Sequence, residues 1–233
     1  METPAHPPLT AVILCGGKGQ RMGPDAPPKC LTPILGKPIL GRIVEHLAPF
    51  VSRFLICVGH RAGEVERWLY DQPFAGVTSN AGETASMLAR LIHARPLIDP
   101  ASPFLVCYGD ECSDVDIAAL RAKHAELSAT VTVTAVQPRC DFGVLEPEID
   151  LDRVPTDRVW TFLEKPILPL WVNIGFMMMS GTAFDSMSPD GEMDFLLRAL
   201  TETRQLGLYR HKGLRFTVNT PRDVELAEVR LAE

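Results

Sequence analysis

The sequence predicts an α/β fold, a mostly parallel sheet with helices packed on both faces. Unbroken apolar runs recur at Ala11–Cys15 (AVILC), Phe54–Val58 (FLICV) and Phe104–Tyr108 (FLVCY). None shows the polar alternation of a strand with one wet face, so both faces of each are covered. Helix-compatible stretches separate the runs, and strands alternating with helices build βαβ units, whose strands run parallel.

Taken in order, Ala11–Cys15 is a buried strand, followed by a turn-rich loop from Gly16 to Pro33. From Pro38 to Leu47 the apolar residues Ile39, Leu40, Ile43, Val44 and Leu47 form a helical stripe, with Pro38 suited to a first turn. Phe54–Val58 is the second strand and Ala62–Tyr70 a short helix. Glu83–Ala94 reads as another helix, with Met87, Leu88, Leu91 and Ile92 on one face. Phe104–Tyr108 is the third strand, Asp116–Leu127 a helix, and the β-branched run from Thr130 to Val136 a strand. Beyond it, strands are expected at Val159–Leu163, Val172–Met179 and Leu214–Val218, and helices at Asp194–Thr203 and Arg222–Leu231. With no internal repeat or low-complexity linker, the chain reads as one domain over 1–233.

Composition narrows the function. The 233 residues are 46% apolar and 22% charged, as in an ordinary globular protein. A net charge of -6 argues against nucleic acid as a partner, because phosphate-backbone binding needs clustered cations; a local basic pocket for a small anion is compatible with it. No stretch approaches the roughly 18 uncharged apolar residues that span a bilayer. The start of the chain carries Pro4, Pro7 and Pro8 and lacks a basic segment followed by an apolar run, so no secretory signal is expected. Cys15, Cys30, Cys57, Cys107, Cys112 and Cys140 include no C-x-x-C pair and read as reduced thiols of a cytoplasmic protein.

The strongest local signal is Leu14-Cys15-Gly16-Gly17-Lys18-Gly19-Gln20-Arg21-Met22, directly after the first strand. Its glycines let the backbone approach a ligand and turn amides towards phosphate oxygens, while Lys18 and Arg21 add charge. Lys29, after Pro27-Pro28, can bring a further ammonium. The loop is neither a G-x-G-x-x-G fingerprint nor a P-loop, and by itself it is equally compatible with a structural turn. Tyr108-Gly109-Asp110 puts a carboxylate at the C-terminal end of a buried strand, the edge where open α/β sheets bind ligands; a capping aspartate is the plainer alternative. Glu111, Asp114 and Asp116 read as solvated or capping groups. Glu164-Lys165-Pro166, Phe142-Gly143-Val144-Leu145-Glu146 and Val172-Asn173-Ile174-Gly175-Phe176 are further polar segments, readable as a surface ion pair and as strand starts. In Ser79-Asn80-Ala81-Gly82-Glu83-Thr84-Ala85 a base edge can be read, or Ser79 or Asn80 can cap a helix.

Together, from Ala11 to about Glu228, these segments resemble the sugar-1-phosphate nucleotidyltransferases, and within them the glucose-1-phosphate cytidylyltransferase branch. The resemblance implies a Rossmann-like, mixed but mostly parallel sheet of the nucleotidyltransferase type, with a nucleotide-binding half at about 9–136 and a sugar-binding half at about 137–233. It implies that Arg21, Lys29 and Lys165 serve catalysis, and that Leu14, Gly16, Gly17, Gly19, Gly82, Glu83, Thr84 and Gly109 bind the nucleotide. Gly143, Glu164, Lys165 and Asn173, with Glu146 beside them, would bind the sugar phosphate. Asp110 would hold Mg²⁺. Where many members carry a second aspartate this chain has Asn219, with Thr217 as the alternative and helix capping by Asn219 and Thr220 as the competing role. Gln20 stands where threonine is usual and Cys30 where proline is usual, and neither exchange removes a charge.

The implied reaction is Mg²⁺-dependent transfer of a nucleotidyl group from a nucleoside triphosphate (CTP first, then UTP or dTTP) to a sugar 1-phosphate. Its partners are those two small molecules, in a stand-alone, cytoplasmic enzyme that can form a homo-oligomer. Cytidylyl transfer to an alcohol phosphate such as phosphocholine, and a non-catalytic nucleotide-sensing module, are the alternatives.

Overall fold

In a computed structural model the described residues are 9–23, 26–74, 76–149 and 153–232; Pro4, Pro7 and Pro8 lie outside them. The chain begins with β1 (Thr10–Leu14), two single-turn 3₁₀ segments at Gln20–Met22 and Lys29–Leu31, and a small hairpin of β2 (Pro33–Ile34) and β3 (Lys37–Pro38). It continues through α1 (Ile39–Leu47), β4 (Arg53–Val58), α2 (Ala62–Tyr70), β5 (Gly76–Asn80), α3 (Met87–Ala94), β6 (Phe104–Tyr108) and β7 (Glu111–Ser113). Then come α4 (Ile117–Leu127), β8 (Val131–Val136), β9 (Val144–Ile149), β10 (Pro155–Leu163) and β11 (Val172–Met179). The last elements are α5 (Met193–Glu202), β12 (Leu206–Arg210), β13 (Arg215–Thr217) and α6 (Pro221–Ala232).

Seven strands form the central sheet in the order β12-β8-β11-β6-β1-β4-β5. Parallel pairing joins β6, β1, β4 and β5, and also β8 and β12, while β11 runs antiparallel between β6 and β8. The unbroken apolar runs have the predicted cause, since both faces of the sheet are covered. Ile13, Ile56 and Cys107 pack with Ile39, Leu40, Ile43, Val65, Leu69 and Leu120 of α1, α2 and α4. Val12, Leu55 and Val106 pack on the other side with Leu88, Leu91, Leu196 and Leu200 of α3 and α5. After β1 the chain moves outward through β4 to β5, then returns to the other side of β1 as β6. That reversal leaves a crevice at the carboxyl ends of β1 and β6.

Some boundaries differ from expectation. The helix expected from Glu83 starts at Met87, capped by the Ser86 hydroxyl, which accepts from the Ala89 amide at 3.1 Å. Ser79 and Asn80 cap nothing: they end β5, an edge strand that its polar sequence GVTSN concealed. β12 forms the opposite edge and was also unexpected. Asp116 caps α4 through a 2.9 Å bond from the Ala119 amide, one of its two expected roles. Among the described residues, no helix is long and apolar enough to cross a membrane.

Candidate active site

A cavity of about 880 Å³ opens at the switch point, lined by the glycine loop from Leu14 to Arg21, by Lys29, by Glu83 to Arg90 in part, and by Tyr108, Gly109, Asp110 and Asn219. The loop leaves β1 with the Cys15 amide still paired to the Cys57 carbonyl at 2.8 Å. Beyond that bond, the amides of Gly16, Gly17, Lys18 and Gly19 have no protein acceptor among the described residues. Consecutive unpaired amides beside a cavity form a seat for an anion. Four cations, Lys18, Arg21, Lys29 and Arg90, line the cavity against two carboxylates, Glu83 and Asp110, although the chain as a whole is acidic.

Lys29 is carried on a 3₁₀ turn whose Leu31 amide bonds the Pro28 carbonyl at 2.7 Å, with Cys30 sunk into the core beneath it. Its ammonium is ion-paired with the Asp110 carboxylate and donates to the Asn219 carboxamide oxygen at 2.6 Å. The Arg21 guanidinium donates to that same oxygen at 2.7 Å. Four residues spread from 21 to 219 thus meet around one point.

A ribbon brings the last two of them together. β7 and β13 pair antiparallel, with Glu111 opposite Thr217, and the Val218 amide donates to the Asp110 carbonyl at 3.0 Å. Asn219 then precedes a capping box, in which the Thr220 amide donates to Asp223 at 2.8 Å and Pro221 opens α6. Thr220 therefore takes the capping role, leaving the Asn219 side chain turned into the cavity. Thr217 gives its hydroxyl hydrogen to Glu111 and does not line the cavity.

Glu111 is a correction. It is buried, not solvated, and burial pushes its carboxyl up to about 7, with Thr217 opposing and Asp110 adding to the rise. Cys15 and Cys30 border the cavity, and the hydrogen bond between them and burial hold the Cys15 thiol well above its ordinary pKa, which disfavours its thiolate.

The residues expected at the sugar end stand on a separate support. Gly143 precedes β9 and Glu164-Lys165 follows β10, and these two strands form a ribbon outside the central sheet. A Cβ at Gly143 would lie 3.5 Å from Glu164 Oε2, so these two are neighbours. Lys165 is mostly exposed, with its ammonium 3.9 Å from Glu164, and it is not among the residues lining the cavity. Of Arg21, Lys29, Asp110 and Lys165, the structure brings the first three together around Asn219. Lys165 is set apart because the ribbon has its own pairing. Asn173, near the start of β11, accepts from the Gly175 amide at 2.9 Å, and Gly175 packs against the cavity-lining Tyr108 ring. Gly82, unlike Glu83 and Thr84, does not line the cavity; its amide is held by Asn80 at 2.9 Å. Glu146, on β9, pairs with Thr161 of β10.

Arg90 was missed at the sequence level. Like Leu88, Leu91 and Ala94 it is buried on α3, and its spacing of four places it on the side of the helix that carries Ala94. An arginine set among apolar residues of a short helix, one before Leu91 and four before Ala94, is the signal that would have found it.

The family described as the MobA-like NTP transferase domain matches residues 11–156. The chain is 28% identical to a probable glucose-1-phosphate cytidylyltransferase of Bacillus subtilis (strain 168), over 91% of this chain and 92% of that protein. It is 25% identical to a glucose-1-phosphate cytidylyltransferase of Salmonella typhi, over 92% of this chain and 93% of that one. A solved Bacillus anthracis structure, assigned as a glucose-1-phosphate thymidylyltransferase, is similar in fold with a TM-score of 0.73 at 18% identity, covering 95% of this chain and 94% of the other. The matched span contains the glycine loop, Lys29 and Asp110, and it covers well over half of the sequence. The chain belongs to the MobA-like NTP transferase family and is a nucleotidyltransferase.

Proposed function

We propose that the chain transfers a nucleotidyl group from a nucleoside triphosphate to a sugar 1-phosphate, releasing pyrophosphate. The observation that carries this reading is the meeting of Lys29, Arg21, Asp110 and Asn219 at the mouth of a loop of unpaired amides. The relatives named as glucose-1-phosphate cytidylyltransferases support the sugar 1-phosphate as acceptor and make CTP the first donor to test, followed by UTP and dTTP.

An oxygen of the acceptor phosphate attacks the α-phosphorus in line, and the bond to the pyrophosphate oxygen breaks. The acceptor is already anionic at neutral pH, so no protein base is required. The difficulty is electrostatic: two like charges about 4 Å apart repel by several kcal/mol for each pair at an effective dielectric near 20. Arg21 and Lys29 oppose that repulsion at the triphosphate, and the loop amides orient its oxygens. Gly143, Glu164, Lys165 and Asn173 are proposed to receive the sugar phosphate.

Asp110 and Asn219 fit a magnesium site. They offer two hard oxygens, a carboxylate and a carboxamide, and both already rest on one cation, the Lys29 ammonium. Mg²⁺ characteristically takes one or two protein oxygens and completes its shell with phosphates and water. Bound there, it would neutralise charge on the transferring phosphates.

A panel of four triphosphates against several sugar 1-phosphates and phosphocholine, read by pyrophosphate release, tests the assignment. Turnover with a sugar 1-phosphate is expected, and turnover with phosphocholine alone would overturn it. Asp110→Ala should abolish metal-dependent turnover; unchanged dependence on Mg²⁺ would remove Asp110 from the site.

A further inference from the structure

We infer that Arg90 is a positioning residue for the triphosphate, holding the glycine loop and the Glu83 loop in the shape that receives it. The inference rests on the nucleotide reading above. The Arg90 guanidinium donates to three carbonyls on three separate segments. They are Val58 at the end of β4 at 2.6 Å, Gly16 in the glycine loop at 3.0 Å, and Glu83 in the loop before α3 at 3.3 Å. A fan of donors is what the planar guanidinium provides and an ammonium does not.

The packing around it is equally specific. A Cβ at Gly16 or at Gly59 would fall inside the van der Waals envelope of the guanidinium. The group therefore packs against two glycines, one just beyond β1 and one just beyond β4. Gly16 needs its missing side chain for this contact as much as for any ligand.

Two consequences follow for an anion. With the Gly16 carbonyl drawn inward by Arg90 and by the His60 amide at 3.2 Å, the amides that follow it are left unpaired at the cavity. The clamp thus sets the polarity of the seat. In addition, Arg90 is only 5% exposed and, among the described residues, forms no ion pair with a carboxylate. A buried cation satisfied by carbonyls alone is costly, and a polyanion in the adjoining cavity supplies the missing counter-charge.

The test uses inorganic tripolyphosphate with Mg²⁺ as a probe free of any nucleobase, titrated by calorimetry alongside MgCTP. Arg90→Gln is expected to weaken binding of both by at least about tenfold, the scale of a charged hydrogen-bonding group lost from a buried site. Gly59→Ala tests the clamp a second way, because Gly59 does not line the cavity and its new methyl would push the guanidinium aside. It should weaken the same two probes, and the double variant should bind no worse than Arg90→Gln alone, since both act through one group. Thermal unfolding identifies which variants fold, and Gly59→Ala carries the test should Arg90→Gln not. A folded variant of either kind that binds tripolyphosphate as tightly as wild type overturns the inference, as do fully additive losses. A wild-type protein that binds neither probe overturns the nucleotide reading itself, a result distinct from a failure of Arg90.

Discussion

The glycine loop and the β9–β10 ribbon would serve the two partners of one reaction, yet they are supported in opposite ways. The loop is rooted in the buried ends of β1 and β4, clamped by Arg90, and faced by Lys29 and Asn219 already in contact. The ribbon is a pair of strands outside the central sheet, and Phe142, Leu145, Trp160 and Phe162 on and beside it are more than half exposed. Its base is tied down by the Cys140 amide on the Pro166 carbonyl and the Leu168 amide on the Pro138 carbonyl, both at 2.9 Å. On the proposed function, rigid charge is placed where repulsion between phosphates is greatest, and acceptor recognition is left to the less embedded element.

Three experiments sharpen or break this contrast. The largest effect belongs to the loop end. Lys29→Met should reduce kcat on the order of 10²–10³-fold with little change in melting temperature, as when a single transition-state donor is removed. A loss of less than tenfold would show that the assembled cation cluster is not where the chemistry is assisted. At the ribbon, Lys165→Ala should raise KM for the sugar 1-phosphate by roughly tenfold and leave KM for the triphosphate within about twofold, as expected for an exposed phosphate contact. An effect on the triphosphate instead would erase the division between the two ends.

The smallest effect is a control that touches neither end. His124 on α4 is buried, with Thr132 Oγ1 2.9 Å from Nδ1 and Ser180 Oγ 3.0 Å from Nε2, and burial lowers its pKa below 6.5. The folded state therefore resists a proton that the unfolded chain accepts. The stability linked to this histidine is present above pH 6.5 and is lost as pH falls from there towards the depressed folded value. Urea unfolding should show wild type losing up to about 1.4 kcal/mol per pH unit in that window. His124→Gln should flatten the slope while KM for both substrates stays unchanged. An identical slope in the variant would refute the assignment.

The same contrast explains what could be read from the sequence. β1, β4 and β6 are legible because strands covered on both faces read as unbroken apolar runs. β5 and β12 lie at the edges of the sheet, where GVTSN and LGLYR need no such pattern. The meeting of the glycine loop, Lys29 and Asp110 at one cavity was legible because glycines, cations and a carboxylate cluster at strand ends, and those motifs are local. Glu111 was misjudged because its burial depends on β13, a strand over a hundred residues away. Arg90 is not legible in the sequence because it lies off the apolar stripe of its helix, and its role shows only once the carbonyls around it are known.

The contact between Lys29, Asp110 and Asn219 bears on the order in which ligands arrive. On the proposed function, a free divalent ion approaching the protein would find Asp110 Oδ2 and the Asn219 carboxamide oxygen already engaged by a tethered ammonium. An ion carried in on a triphosphate brings the anion for which that ammonium can leave. The nucleotide and its metal should therefore load as one complex, and the bare protein should ignore magnesium offered alone.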